Sequence, residues 1–134
     1  MYRKKSDINF TTFKGQKVKK VKSEVGLPLG IFFEKAILVI ECPWRLVHSN
    51  QITVGFSDCK QPSISSYKIL EKQTKGKKIT DIHHFENISD LIIELEHQVF
   101  LELFHDSTNF EGWQLQGDEG FLLVSLPGGG YEKF

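Results

Sequence analysis

The sequence predicts a mainly β protein in which two antiparallel, hairpin-forming copies of one unit build a single sandwich or barrel-like domain, with at most one or two short helices. Three observations support this prediction. The chain has 134 residues, 40% of them apolar, which suffices for one core without metal or disulfide staples. Eleven Phe and one Met favour strands over a helical bundle and argue against disorder. The chain also matches itself when its second half is laid over its first.

This self-match keeps its order along the chain. Segment 15–21 aligns with 76–82, 29–39 with 91–101, and Trp44–Leu46 with Trp113–Leu115. The second copy needs only short insertions, chiefly around 105–112. A unit of this size is too small to hold its own core, so we interpret residues 1–134 as one domain of two repeats, about 15–58 and 76–126, with a linker at 59–75. Chance similarity between apolar strands is the alternative.

The first copy predicts three strands and a corner. Residues 15–25 have a spacing that also suits a helix, but their valines favour a strand with a bulge. Runs 29–33 and 37–42 predict a hairpin around the loop Glu34-Lys35-Ala36. One face of this hairpin is then expected to carry Ile31, Phe33, Ile37 and Val39. Because both faces are apolar, the hairpin is expected near the centre of the molecule, and Pro43 predicts a sheet edge or a corner at Trp44.

The second copy repeats the hairpin around the loop Glu96-His97-Gln98. A three-residue loop places six apolar side chains on one face, which we expect to be core: Leu91, Ile93, Leu95, Val99, Leu101 and Leu103. Between the copies, 62–71 predicts a short helix with Ser63 as its N-cap. The tail 126–131, with three consecutive glycines, predicts a flexible loop after the last strand.

The charges divide unevenly along the chain although the net charge is zero. Residues 1–78 hold 16 basic against 6 acidic residues, a balance of +10, and residues 79–134 hold one Lys against 11 acids, a balance of −10. Such asymmetry can indicate a charged partner. The two halves can equally pair with each other in the fold, and the sequence leaves both alternatives open.

The cysteines and the N-terminus bear on the cellular compartment. Cys42 and Cys59 have no CxxC spacing, so a zinc site is not expected. They form either one disulfide or two reduced thiols, and the absence of an export signal favours the thiols. The first residues lack the apolar segment of a secretory signal, and no stretch of 18 apolar residues occurs. A cytoplasmic location without a membrane span is therefore expected.

No motif predicts catalysis. The sequence contains no GxSxG elbow, and the three glycines at 128–130 are not followed by the Lys-Ser/Thr of a phosphate-binding loop. His83 and His84 are adjacent, so on a strand they point to opposite faces. A metal site of His97, Glu94 and Glu96 at the hairpin tip is conceivable, but such a loop is more often solvated. We expect no enzyme, no metal and no cofactor.

Segments 40–46 (IECPWRL) and 110–117 (FEGWQLQG), together with Pro127-Gly-Gly129, resemble a family of small bacterial β-rich proteins. In size, cytoplasmic character and acidic half, the chain is loosely similar to immunity proteins of polymorphic or contact-dependent toxin systems. This resemblance implies a non-catalytic protein that binds and neutralises a cognate toxin domain. Acidic side chains would then meet a basic toxin surface and select the partner.

The residues expected to contact the partner are acids of the second half and one aromatic. They are Glu86, Asp90, Glu94, Glu96, Asp106, Phe110, Glu111, Asp118 and Glu119. The alternative function is a small-molecule or nucleic-acid binding β module, with a cleft between the copies. Nucleic acid would use Arg3 and the lysines of 4–22, but the acidic half would repel its phosphates. The oligomeric state stays open.

Overall fold

A computed structural model of the chain describes residues 3–60 and 65–134. These residues form twelve strands in two six-stranded antiparallel sheets, with one α-helix. The first-half strands are β1 (Lys4–Lys5), β2 (Val18–Lys22), β3 (Leu29–Phe33), β4 (Ile37–Ile40), β5 (Trp44–His48) and β6 (Gln51–Gly55). Helix α1 (Ser66–Thr74) precedes β7 (Ile79–Glu86), β8 (Asp90–Leu95), β9 (Val99–Leu103), β10 (Trp113–Gln116), β11 (Leu122–Ser125) and β12 (Tyr131–Lys133). The predicted mainly β class is confirmed.

The two sheets are assembled in the same way from opposite halves of the chain. Sheet 1 has the strand order β1-β7-β8-β9-β5-β6, and sheet 2 has the order β12-β11-β10-β4-β3-β2. In each sheet, a meander of three strands from one half pairs with a two-strand hairpin from the other half. The meander is β7-β8-β9 in sheet 1 and β2-β3-β4 in sheet 2. The two sheets therefore have the same strand arrangement with the roles of the two chain halves interchanged. The added edge strands β1 and β12 are the exception.

The pairing details also recur in the two halves. The register shifts immediately after Val18 in β2 and immediately after Ile79 in β7, so both meanders begin with a bulge. Where these strands begin, the amide of Gly15 donates to the Ile79 carbonyl and the amide of Gly76 donates to the Val18 carbonyl, both at 2.8 Å. The predicted strand with a bulge in 15–25 is confirmed. The repeat boundaries themselves stay a prediction.

The second hairpin has the predicted register. Leu95 lies opposite Val99 and Leu91 opposite Leu103, so the turn contains three residues. All six apolar side chains expected in the core are at most 3% exposed. The opposite face of this hairpin, with Ile92, Glu94, Phe100 and Glu102, is half-buried.

The first hairpin differs from the prediction, because its turn contains two residues, Glu34-Lys35. The amide of Phe33 donates to the Ala36 carbonyl, which sets these two residues opposite each other. Since a shift of one residue turns every side chain to the other face, the predicted face was wrong for β4. Leu38 and Ile40 are buried, whereas Ile37 and Val39 lie half-buried on the outer face of sheet 2. The hairpin is therefore buried on one face and only partly covered on the other.

One hydrophobic cluster contains side chains from both sheets and both halves. Trp44 and Trp113, which the self-match aligns, are 4% and 1% exposed, and Leu38, Leu101 and Leu115 are at most 1% exposed. Each fully buried leucine of this kind contributes about 2 kcal/mol through removal of apolar surface from water. The cluster therefore joins the two halves energetically as well as by strand pairing.

Helix α1 begins at Ser66 and ends at Thr74, later than predicted, with Ser65 at its N-cap position. The predicted cap Ser63 lies outside the described residues. The helix packs beside the edge strand β2, where the Glu71 carboxylate accepts a hydrogen bond of 2.9 Å from the Val21 amide. An exposed strand edge invites pairing with other chains, so the helix protects this one. The corner predicted at Pro43 is confirmed, because the chain passes there from β4 in sheet 2 to β5 in sheet 1.

The three-glycine tail is a packed turn and not the flexible loop that the sequence suggested. The Ser89 hydroxyl lies 2.8 Å from the Gly129 carbonyl and 2.9 Å from the Gly130 carbonyl, to which it can donate. The Leu126 amide donates to the Gly130 carbonyl at 2.8 Å. These contacts fix the turn against the β7–β8 connection and lead the chain into β12, which pairs with β11.

Candidate functional site

The connection between β9 and β10, residues 104–112, is longer than its counterpart between β4 and β5, residues 41–43. The second half therefore has a loop that the first half lacks. This is the insertion that the self-match required. Loops that a rigid scaffold positions are common carriers of binding residues. Its sequence, FHDSTNFEG, combines polar, acidic and aromatic residues.

Ser107 holds the middle of the loop. Its hydroxyl accepts hydrogen bonds of 3.0 Å from the amides of Asn109 and Phe110. Its carbonyl accepts one from the Gly128 amide at 2.8 Å and one from the His105 imidazole at 2.9 Å. These bonds connect the loop to the glycine turn and restrict its conformations.

Ser125 holds the end of the loop. Its hydroxyl oxygen, in a residue with no exposed surface, accepts hydrogen bonds of 2.9 Å from the amides of Gly112 and Trp113. No side chain fits at Gly112, because a Cβ there would lie 2.2 Å from His105 Nδ1. A loop ordered in this way loses little conformational entropy on binding a partner.

The outer side of the loop is anionic and carries one large aromatic side chain. Asp106 and Glu111 are exposed, and Phe110 is 73% exposed. Glu41 is next to them, since its amide donates to the Gly112 carbonyl at 2.8 Å. Segment 104–130 contains no Lys or Arg. Within 3–60 and 65–134, no ion pair engages these three acids. We call Glu41, Asp106, Phe110 and Glu111 the acidic loop surface.

Two predicted partner-binding acids near the loop already have basic neighbours. Asp90 is buried, and its Oδ2 lies 3.1 Å from the Arg3 guanidinium. Burial raises the pKa of the Asp90 carboxyl, and the charge of Arg3 opposes that rise. Glu86 lies 3.5 Å from the Lys4 ammonium. Both pairs join β1 to the β7–β8 hairpin, so these acids are engaged within the fold.

The remaining predicted acids lie away from the acidic loop surface. Glu94 is on the outer face of β8, where Oε2 is 3.1 Å from His83 Nε2. Glu96 accepts a hydrogen bond of 2.7 Å from the Lys78 amide. Asp118 and Glu119 are exposed in the turn after β10, at the opposite end of that strand from Glu111. The nine predicted residues therefore do not form one surface, and only three of them share the loop.

The two cysteines are free thiols, as the compartment argument favoured. Cys42 is buried near Asp106, and burial together with the Asp106 charge raises the pKa of its thiol to about 12. A thiol with so high a pKa is not a nucleophile at neutral pH. Cys59 is half-buried.

The side chains able to hold a metal ion share only Glu94 with the site considered at the hairpin tip. Glu94 approaches Asp81 and His83 on β7, and one ligand atom from each residue lies within 4.8 Å of the others. His83 and His84 point to opposite faces, as predicted. His84 is 2% exposed, and burial lowers the pKa of its imidazole to about 4. Sequence reasoning missed this cluster, although the Asp-x-His spacing places both side chains on one face of a strand.

A cavity of about 300 Å³ on the outer face of sheet 2 was also missed. Its apolar lining includes Leu27, Pro28, Phe32, Ile37 and Val39. Ile37 and Val39 face outward only because the first hairpin has the shorter turn. The register expected from the sequence placed both side chains in the core, so it predicted no cavity on this face. It does not lie between the two copies, where the alternative function placed a cleft.

Comparison of the chain with protein-family models, curated proteins and solved structures gave no match. The immunity-protein resemblance consequently stays a prediction that rests on the residues themselves. Within the described parts of the chain, no helix has both the length and the apolar character needed to cross a membrane.

Proposed function

We propose that this chain is a non-catalytic immunity protein that binds a basic toxin domain through the acidic loop surface. One observation carries the proposal. An exposed phenylalanine, Phe110, lies between Asp106 and Glu111 in a loop whose middle and end are held by hydrogen bonds. Aromatic side chains surrounded by polar groups often supply most of the binding energy of a protein interface.

The charges favour a basic partner over other classes. The acids of this surface have no neutralising partner among the described residues, so their field extends into solvent. Such a field accelerates encounter with a basic protein and repels phosphate backbones. The toxin as partner comes from the sequence resemblance, the cytoplasm as location is kept from the sequence analysis, and the loop supplies the contact.

Co-expression tests this function. The toxin domain encoded beside the gene for this chain is expressed with wild type, with Phe110→Ala, or with Asp106→Lys/Glu111→Lys. Wild type is expected to restore growth and both variants to fail. In titrations, Phe110→Ala should weaken binding about 30-fold, which corresponds to about 2 kcal/mol for an anchor side chain.

The matched control is Asp118→Lys/Glu119→Lys, which reverses the same amount of charge at the opposite end of β10. This variant should restore growth as wild type does, and its affinity should change by less than about threefold at physiological salt. Equal losses in both charge-reversed variants would show that net charge matters and the loop does not. Absence of rescue by wild type would contradict the immunity function itself.

Binding of a small apolar molecule is a second candidate, favoured by the cavity on sheet 2. We expect saturable fluorescence enhancement of 1-anilinonaphthalene-8-sulfonate on wild type, because the walls of the cavity are largely apolar. The charged residues of its lining are Lys22 and Glu24, which lie 3.6 Å apart and offset each other. Leu27→Asp should abolish the signal. The control is Ile52→Asp, which alters an equally exposed residue on β6 and should leave the signal unchanged. Equal responses would assign the dye to nonspecific apolar surface.

A further inference from the structure

Asp81, His83 and Glu94 come together because of the bulge at the start of β7. The register shifts between Ile79 and Asp81, after which Asp81 lies directly opposite Glu94 on β8. His83 is two residues further along β7, so its side chain is on the same outer face. The Nε2 atom of His83 is 3.1 Å from Glu94 Oε2 and 3.8 Å from Asp81 Oδ2.

Two carboxylates directly opposite each other across antiparallel strands repel, so a cation beside the Asp81–Glu94 pair is stabilising. The Asp81 carboxylate has its two oxygens in different roles. Oδ1 accepts a hydrogen bond of 2.9 Å from the Ile82 amide and lies 3.6 Å from the Lys14 ammonium. Oδ2 is thereby turned toward His83, and the backbone bond holds the carboxylate in that orientation.

We propose that Asp81, His83 and Glu94 bind a divalent transition-metal ion of the zinc class. One imidazole nitrogen and two carboxylate oxygens are donors that zinc accepts at about 2.0 to 2.2 Å. In a tetrahedral site, ligand atoms at that radius are about 3.3 Å apart. The observed separations of 3.1 and 3.8 Å, with all three atoms within 4.8 Å, need only small side-chain rotations to reach this geometry.

The imidazole decides the class of metal. Magnesium and calcium prefer all-oxygen ligands, whereas zinc and its neighbours accept a histidine nitrogen with carboxylates. Three protein ligands leave the fourth position of a tetrahedral ion to water or to an incoming group. The cluster is half-exposed, so that position faces solvent.

The first half of the chain has the same backbone without the ligands. Lys20, Lys22 and Phe32 occupy the corresponding outer-face positions after the bulge of β2. There, the Lys20 ammonium lies 4.9 Å from the centre of the Phe32 ring, a cation–π contact. The shared bulge therefore supports two different surface chemistries, and only the second half offers metal ligands.

The experiment titrates the full chain, without a histidine tag, with zinc chloride in a calorimeter. Wild type is expected to bind one zinc ion, and His83→Asn and Glu94→Gln should each weaken binding at least about tenfold. The matched control is His97→Asn, which removes an exposed imidazole from the neighbouring turn and should leave the affinity unchanged. Magnesium chloride at the same concentrations should give no binding.

A variant with the opposite expected effect strengthens the test. Lys14→Met removes the ammonium beside Asp81 and should tighten zinc binding about fivefold, because the cation no longer competes for the carboxylate. Circular dichroism verifies that each variant is folded, and NMR of the wild-type imidazole should place the zinc on His83 Nε2. No zinc binding by wild type, or equal affinity in wild type and in His83→Asn/Glu94→Gln, overturns the proposal.

Discussion

Three consecutive glycines should respond very differently to alanine, because each has a different backbone and surroundings. Gly128 has a φ of +87° and Gly129 a φ of +98°, conformations that L residues rarely adopt. Gly130 has a φ of −68° and a ψ of −179°, which any residue adopts. A Cβ at Gly129 would lie 2.5 Å from the Asn87 carbonyl oxygen and 2.9 Å from Ile88 Cα, whereas the other two positions open to space.

The differences in backbone conformation and surroundings determine how much each alanine substitution changes the free energy of unfolding. Gly130→Ala should stabilise the protein by about 0.5 kcal/mol, since alanine lowers the entropy of the unfolded chain and meets nothing in the native state. Gly128→Ala should cost about 1 kcal/mol, the price of the left-handed conformation alone. Gly129→Ala adds displacement of the β7–β8 backbone, which raises the cost to about 3 to 4 kcal/mol.

Urea unfolding measures all three variants, with the fluorescence of the buried Trp44 and Trp113 as the signal. For an m-value of about 2 kcal/mol/M, the midpoint should fall by about 1.5 to 2 M in Gly129→Ala and by about 0.5 M in Gly128→Ala. It should rise slightly in Gly130→Ala. Equal losses at Gly128 and Gly129 would refute the close packing of the glycine turn against Asn87 and Ile88.

Further predictions concern the thiols and the paired turns. In Ellman's reagent at pH 8, Cys59 should react within minutes, whereas Cys42, with a thiol pKa of about 12, should react only at the rate of unfolding. A rapid reaction of both thiols would contradict the burial of Cys42. Glu34→Ala and Glu96→Ala each remove an acceptor for a backbone amide at the start of a meander, with lengths of 2.8 and 2.7 Å. Each should cost about 1 kcal/mol in the same urea assay, and a large difference between them would show that the two positions are not equivalent.

The fold could be predicted where the residue pattern determines both the alternation of side chains and the length of the turn. Between Leu95 and Val99, a three-residue turn is compatible only with the observed core face. The predicted register of the second hairpin was therefore correct. In Glu34-Lys35-Ala36, the small apolar Ala36 fits either the turn or the strand. Nothing local distinguishes these alternatives. The structure places Ala36 in the core, and packing against the rest of the molecule decides the register.

The acidic site residues could not be sorted from the sequence, because their basic partners are far away along the chain. Asp90 and Glu111 look equally available in the printed sequence. Asp90 is engaged only because β1, a strand of two lysines that no pattern predicts, pairs with β7 and brings Arg3 alongside. Glu111 is exposed, and no ion pair within 3–60 and 65–134 engages it. Long-range pairing of this kind is set by topology and is not visible in composition.

Ion pairs between the two halves determine where the uneven charge of the chain lies in the fold. Arg3, Lys4 and Lys14 approach acids of the second half within 3.1 to 3.6 Å, and Arg45 approaches Glu102 across β5 and β9. Exposed pairs of this type add little stability, but they direct cations of the basic half onto sheet 1. Segment 104–130 has no Lys or Arg of its own, and no ion pair within 3–60 and 65–134 engages its acids. Two cations from elsewhere do pack on its aromatic rings, Arg45 on Phe104 and Lys133 on Phe121. The segment whose acids are unpaired is also the one with the inserted loop and the exposed Phe110, which is why we assign partner binding to this region.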